Sequence, residues 1–324
     1  MSEEKEEYII TPQSNISTPL CSQDICRDED VNDFNPEVNK CKIIVLSGGG
    51  TTGLSFYGLL RELERQKVWN IENIKSIYGT SVGALLAVIL SLKYDWETLD
   101  DYLIKRPWQQ VFHFDMFSIF KTIHERGLYD CKIIENIFAP LFKAKDISMD
   151  ITMEEFFELT HIDIHLFTTD INVFMLEDIS YKTHPKWRVL DAVFCSCSLP
   201  IIFKPLIKDG KCYSDGGLIM NYPLEKCLSD GNLPSEILGI CRKSNIQINV
   251  VHEESTVFDY LLTILNKSVE KILNIKTSAK IGWEYHINAP PISLSGIFNT
   301  ASSMEERIRL IQLGVDTAKP PTSK

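Results

Sequence analysis

The apolar positions of this chain change period early. From Lys42 to Leu46 they run unbroken, β-branched and closed by glycine, which predicts a buried strand. From Leu54 to Trp69 they fall at Phe56, Leu59, Leu60 and Leu63 with charge between them, the spacing of one helix face. Ile74–Tyr78 predicts a second strand and Ala84–Leu92 a second, largely apolar helix. Two strand–glycine–helix units in tandem predict a parallel sheet covered by helices. The stretch from Tyr94 to Thr160 is helical in pattern and rich in aromatics (Trp108, Phe112, Phe114, Phe117, Phe120), and reads as an insertion or lid beside the sheet. Asp163–Asn172 alternates as a strand, the segment from Val189 reads as a helix ending at Pro200, and Lys211–Ser214 and Glu236–Cys241 read as short strands. Phe258, Leu261, Leu262, Leu265, Val269, Ile272 and Leu273 form an apolar stripe, read as a core-facing helix in preference to one lying on a membrane. A last helix, Met304–Leu313, is expected to stop at Gly314.

Composition narrows the function classes. The chain has 324 residues, 44% of them apolar and 24% charged, enough for an ordinary core. A net charge of −11 argues against nucleic acid as a partner, because phosphate backbones are gripped by clustered Lys and Arg. Acidic residues crowd the start of the chain (Glu3, Glu4, Glu6, Glu7, Asp28, Glu29, Asp30), with few apolar residues among them. Residues 1–40 therefore read as an acidic, disordered tail. The nine cysteines include no C-x-x-C pair, which points to free thiols in a reducing compartment and to no metal site. No basic stretch followed by an apolar run opens the sequence, and the longest apolar run, Val82 to Leu90, is short of a membrane span. The expectation is an intracellular, cytoplasmic protein that meets membranes peripherally.

The candidate chemistry begins where the first strand ends. Gly48, Gly50 and Gly53 satisfy G-x-G-x-x-G, but no acidic residue closes the second strand to bind a ribose. The same loop approaches a nucleotide-phosphate motif, but Leu54 stands where that motif needs lysine. What remains is a row of N–H donors at a helix N-terminus, suited to an oxyanion of any origin. The second glycine turn supplies the matching nucleophile. Gly79-Thr80-Ser81-Val82-Gly83 is G-x-S-x-G between a strand and a helix, the sharp turn that presents a serine hydroxyl, with Gly79 and Gly83 relieving its crowding. A base is needed. None of the seven histidines stands where the α/β-hydrolase order requires one, whereas Asp215 lies directly before Gly216-Gly217 at the end of a short strand.

These residues together resemble the patatin-like phospholipase family. Ser47-Gly48-Gly49-Gly50-Thr51-Thr52-Gly53, Gly79-Thr80-Ser81-Val82-Gly83 and Asp215-Gly216-Gly217 follow the family's order of glycine loop, serine elbow and aspartate turn. The run "CSCSLPIIFKPLIKDGKCYSDGG" and the Asn221–Pro223 triplet also resemble it, and the likeness spans roughly residues 41–224. One position departs: many relatives carry Arg or Lys where this chain has Thr52.

The resemblance implies a three-layer α/β/α sandwich with a mainly parallel central sheet. It further implies a catalytic domain over 41–224, with 225–324 completing or capping it. It implies a lipid acyl hydrolase in which Ser81 attacks an ester, Asp215 serves as base, and the N–H groups of Gly48, Gly49 and Gly50 hold the oxyanion. No metal or cofactor is implied; the expected partners are a phospholipid or acylglycerol substrate and a membrane or lipid-droplet surface. The aromatics of 108–120 and the 257–273 stripe are candidates for the acyl channel. Three alternatives stay open: a histidine-dependent α/β-hydrolase esterase, an acyltransferase sharing the same dyad, and a non-catalytic lipid-binding or interaction protein on the same fold.

Overall fold

The computed structural model describes residues 40–113, 124–244, 251–273, 279–290 and 292–319. The acidic tail and Phe114, Phe117 and Phe120 lie outside them. Ten strands are present among the described residues: β1 (Ile43–Leu46), β2 (Ser76–Thr80), β3 (Gly127–Tyr129), β4 (Asp163–Asp170), β5 (Met175–Ile179), β6 (Ile201–Phe203), β7 (Leu206–Lys208), β8 (Lys211–Asp215), β9 (Ile237–Ser244) and β10 (Trp283–Ala289). The helices that bear on the site are α1 (Gly53–Arg65), α2 (Val82–Ser91), α3 (Lys132–Ala144), α4 (Val189–Cys197), α5 (Val257–Leu273), α6 (Leu294–Ser302) and α7 (Met304–Thr317).

The main sheet is parallel from β10 through β9, β1 and β2 to β4. All four residues of β1 are buried, as the unbroken apolar run requires. Ile44 and Leu46 point into the large core under α1 and α2, and Ile43 and Val45 into a smaller cluster with Tyr78, Phe167 and Leu224. The sheet is thus covered on both faces, with layers of unequal thickness.

The three antiparallel strands give the fold its functional edge. On β4, residues 163–167 pair with β2, residues 166–170 with β5, and residues 168–170 with β8. A strand has two edges, and β5 overlaps the register of both β2 and β8. Therefore β2 and β8 share one edge of β4, with β8 beyond the carboxyl end of β2. β8 runs antiparallel to β4 and so descends toward the end of β2. The last residue of β8, Asp215, is delivered to the turn that follows β2. That is also where the sheet order departs from β1 in opposite directions, toward β2 and toward β9, the usual place for a ligand crevice in open α/β sheets.

One helical expectation is corrected. The last helix does not stop at Gly314 but continues to Thr317. A Cβ on Gly314 would lie 1.9 Å from the Ser55 carbonyl oxygen, so glycine is there to let α7 press its backbone onto α1, where Ser55 Oγ donates to the Leu310 carbonyl. The 257–273 stripe does form a helix, α5: of the stripe's residues with described side chains, Leu262 is buried, Phe258, Leu265 and Val269 are half-buried, and Leu261 stands 43% exposed. Together with Leu261, Val257, Tyr260 and Ile264 stand 43–63% exposed. Their i, i+3, i+4, i+7 spacing puts them on one outward face, while Leu265 and Val269 on the other side line the crevice at Ser81. The apolar arc of this helix is wider than the surface available to cover it.

Candidate active site

Ser81 sits at the turn from β2 to α2 with φ 56 and ψ −123, a conformation that L-residues rarely adopt. Strain of this kind persists only where the surroundings over-determine it. Here the Ser81 N–H donates to Ser196 Oγ at 2.9 Å, and Ser196 Oγ in turn donates to the Phe167 carbonyl of β4 at 2.6 Å. The Thr80 hydroxyl donates to the Met220 carbonyl at 3.0 Å. The elbow is thereby tied to α4, to β4 and to the segment after β8.

Asp215 is 3% exposed, and it lines the same small crevice as Ser81. The Gly217 N–H donates to Asp215 Oδ1 at 2.7 Å. The strand end is fixed by the Asp215 N–H to the Ser198 carbonyl at 3.0 Å and by Thr169 Oγ1 to the Asp215 carbonyl at 3.1 Å. Burial pushes the Asp215 carboxyl up from its usual 3.8 to about 6, against the lowering effect of the bonds from Ser81 and Gly217. A carboxylate of this kind is a stronger base than a solvated one.

The glycine loop lies alongside. A Cβ on Gly48 would stand 3.1 Å from Ser81 Cβ and 2.4 Å from Asn221 Oδ1, so the loop packs directly against the serine. Gly50 has φ +55, which a side chain would strain. Of the three N–H groups expected to hold an oxyanion, that of Gly48 is already engaged, donating to the Asn221 carbonyl at 2.9 Å. This corrects the expectation for Gly48: the Asn221–Pro223 segment needs that donor to anchor the loop. The N–H groups of Gly49 and Gly50 have no hydrogen-bond partner among the described residues, and the partnerless first N–H groups of α2 open behind Ser81. Gly79 and Gly83 face each other across the elbow, and a Cβ on Gly216 would meet the Phe167 carbonyl oxygen at 2.3 Å.

Two spaces meet at Ser81. The larger, about 200 Å³, is almost wholly apolar and is walled by Val82, Leu85, Leu86, Trp108, Phe112 and Phe203 among others. The smaller, about 70 Å³, brings Gly48, Gly49, Ser81, Asp215 and Gly217 together with Asn221, Arg242 and Asn266. Trp108 and Phe112 thus line the larger space, and Leu265 and Val269 of the 257–273 stripe the smaller one. Among the described residues no histidine borders either space.

Sequence reasoning missed Ser196, Asn221 in its bridging role, and Arg242. The N–H of Arg242, on β9, donates to Ser47 Oγ at 3.0 Å, and its side chain flanks Gly49, where a Cβ would lie 3.4 Å from Arg242 Cδ. It brings a cation beside the loop that carries Thr52. Elsewhere, His165, Asp178 and Asp230 bring potential metal ligands within 4.8 Å of one another. Burial alone would lower the His165 pKa, but Asp163 and Asp178 hold it up at about 9, and Lys226 lies on both Asp178 and Asp230. The group is part of an ion-pair network in which two carboxylates favour the charged form of the imidazole.

A doubly covered, mainly parallel sheet with a strained G-x-S-x-G serine, a glycine loop and a buried aspartate defines a patatin-type α/β fold. The family model for "Patatin-like phospholipase" matches residues 44–228, and the chain belongs to that family. It is 30% identical over 187 residues to "Probable lipid hydrolase 463L" of Invertebrate iridescent virus 6, covering 57% of this chain and 62% of that protein. It is 27% identical over 209 residues to the "cGAMP-activated phospholipase" of Vibrio cholerae, covering 57% of this chain and 56% of the relative. The chain thus spans about three fifths of the length of these relatives. Its fold matches VipD from Legionella pneumophila with a TM-score of 0.53 at 18% identity, over 86% of this chain and 66% of that one.

Proposed function

We propose that this chain is a lipid acyl hydrolase that cleaves the carboxylic ester of a phospholipid or acylglycerol through a Ser81–Asp215 dyad. The observation that supports this reading is that Ser81, on a strained elbow, shares one small crevice with the buried Asp215 carboxylate and also lines an apolar cavity. Ser81 Oγ bonds to the ester carbon as its proton passes to Asp215, and the carbonyl electron pair moves onto oxygen. The N–H groups of Gly49 and Gly50 and the positive end of α2 hold that oxyanion. Collapse expels the alcohol, which takes the proton from Asp215, and leaves an acyl-serine. Asp215 then removes a proton from water as the water attacks; the second collapse frees the fatty acid and returns the proton to Ser81.

The two spaces suit an amphiphile. The acyl chain enters the apolar cavity, and the polar head lies toward Arg242, Asn221 and Asn266, where a phosphodiester meets a cation. No metal or cofactor takes part in this scheme. No described helix is long and apolar enough to cross a membrane, and the reading takes the protein to its substrate as a peripheral visitor to a lipid surface.

The test is fatty-acid release from a soluble short-chain phosphatidylcholine. Wild type should release it, and Ser81→Ala and Asp215→Asn should each lose at least about a thousandfold in kcat. Turnover that survives Ser81→Ala would overturn the reading.

A further inference from the structure

The turn between β4 and β5 is built unlike an ordinary surface turn. Residues 171–174 join the two strands, and Ile171, Val173, Phe174 and Met175 are 39–63% exposed. Turns of this length usually carry glycine, asparagine or aspartate for conformational reasons. Here the left-handed position, φ 53, is filled by Phe174, a bulky residue at a strained place. Ile207 of β7, 59% exposed, extends the patch: it pairs with Cys212 of β8, whose carbonyl accepts from the Ile171 N–H at 2.8 Å. The three residues form one row across adjacent strands.

The tip is braced. The Asn172 N–H donates to Asp170 Oδ1 at 3.0 Å, and Asn172 Nδ2 donates to the Gly210 carbonyl of the β7–β8 turn at 3.1 Å. Its polar groups bond inward, and its apolar side chains are left outward. Its place in the sheet is fixed by register. Phe167 is level with Thr80 at the end of β2, and β4 continues three residues further, a rise of about 10 Å. The tip therefore projects beyond the carboxyl edge of the sheet, the same edge that carries Ser81 and the glycine loop. Apolar clusters exposed in this way mark contact surfaces.

We propose that this tip, with Ile207 beside it, is the element that inserts into the lipid surface and sets the active-site edge against it. The proposal rests on the acyl-hydrolase reading for its choice of occupant: a substrate held in a lipid layer has to be met by the edge that carries the serine. The charges around the tip favour apolar insertion over attraction to anionic lipid. Lys211 pairs with Glu177 and Lys208 with Asp191, and the chain as a whole is strongly acidic. Binding is accordingly expected on neutral phosphatidylcholine vesicles and is expected to persist in high salt.

The experiment uses phosphatidylcholine vesicles and the full chain. In Phe174→Trp, tryptophan emission should shift to the blue on vesicle addition and be quenched by lipids brominated on their acyl chains. The double substitution Val173→Asp with Phe174→Asp should lower vesicle partitioning at least tenfold. It should also lower hydrolysis of vesicle lipid, while a soluble monomeric ester is turned over and Ser81 is labelled by a fluorophosphonate as in wild type. Vesicle binding unchanged in the double variant, or emission from Phe174→Trp that brominated lipid leaves unquenched, would each overturn the proposal. Loss of binding only on Tyr260→Asp with Ile264→Asp in α5 would do the same. So would a blue shift that depends on protein concentration without lipid, which would make the tip a contact between copies of this chain. If the tip inserts but wild type neither labels nor hydrolyses, the hydrolase reading fails and the docking assignment stands.

Discussion

At the scale of single residues, Asp215 carries two consequences of one environment. Because burial holds its carboxyl at about 6, kcat/KM should fall about tenfold per pH unit below 6, as the base is lost to protonation. The same shift acts on stability with a definite sign. The folded pKa stands above the unfolded 3.8, so the folded state binds the extra proton; the favourable contribution is full below about 4 and lost as pH rises through 6. Above that window the buried charge costs the fold on the order of 3 kcal/mol. Asp215→Asn should therefore be inactive yet at least as stable as wild type to urea at pH 8, with the difference shrinking by pH 5. A variant less stable at pH 8 than wild type would mean that the carboxylate is better solvated than its burial implies.

Ser196 makes a second residue-scale prediction. Its hydroxyl joins the part-buried Ser81 N–H to the buried Phe167 carbonyl, and Ser196→Ala removes that link from both groups. The loss should be about 1–3 kcal/mol in denaturant unfolding, with a fall in kcat larger than any change in KM as the strained elbow relaxes. The turns that carry Ser81 and Asp215 were legible in the sequence because the glycines that shape each of them are local. Ser196 was not. It stands in a small-residue run that reads as helix packing, and only the meeting of α4 with β4 gives its hydroxyl a task. Gly48 failed for the same reason: that its N–H is taken by Asn221 depends on a segment far along the chain.

At the scale of elements, the strand–glycine–helix units around β1 and β2 were readable because buried parallel strands are apolar throughout and their turns are glycine-rich. β3, β5, β6, β7 and β10 were not anticipated, β3 and β6 being only three residues each. β5 and β7 are short strands with mostly half-exposed or exposed residues, and β10 alternates exposed and covered positions, so none shows an unbroken apolar run. The stripe on α5 did not reveal that the same helix carries a second, exposed apolar face at Val257, Tyr260 and Ile264. Gly314 misled because glycine ends helices and also lets two helices touch. Gly314→Ala separates those roles. With the Ser55 carbonyl oxygen 1.9 Å from the added Cβ, the substitution should destabilise by about 1–3 kcal/mol through overpacking. A neutral or stabilising result in denaturant unfolding would show that α1 and α7 are not in backbone contact.

At the scale of the whole molecule, the site exists because two kinds of sheet meet. The parallel half presents Ser81 and the glycine loop at its carboxyl edge, and the antiparallel half folds Asp215 back down onto them. The ester would then lie between an apolar cavity and a cleft holding Arg242. Filling the cavity should change which chains fit: Leu85→Trp should lower the ratio of long-chain to butyryl ester turnover at least tenfold. An unchanged ratio would place the acyl chain elsewhere.

The most direct measurement is labelling of the folded protein by a fluorescent alkyl fluorophosphonate, which reports an activated serine without any choice of lipid. Wild type should label on Ser81, Ser81→Ala should not, and Asp215→Asn should label at least a hundredfold more slowly. Labelling that keeps its full rate in Asp215→Asn, or no labelling of folded wild type, would contradict the dyad.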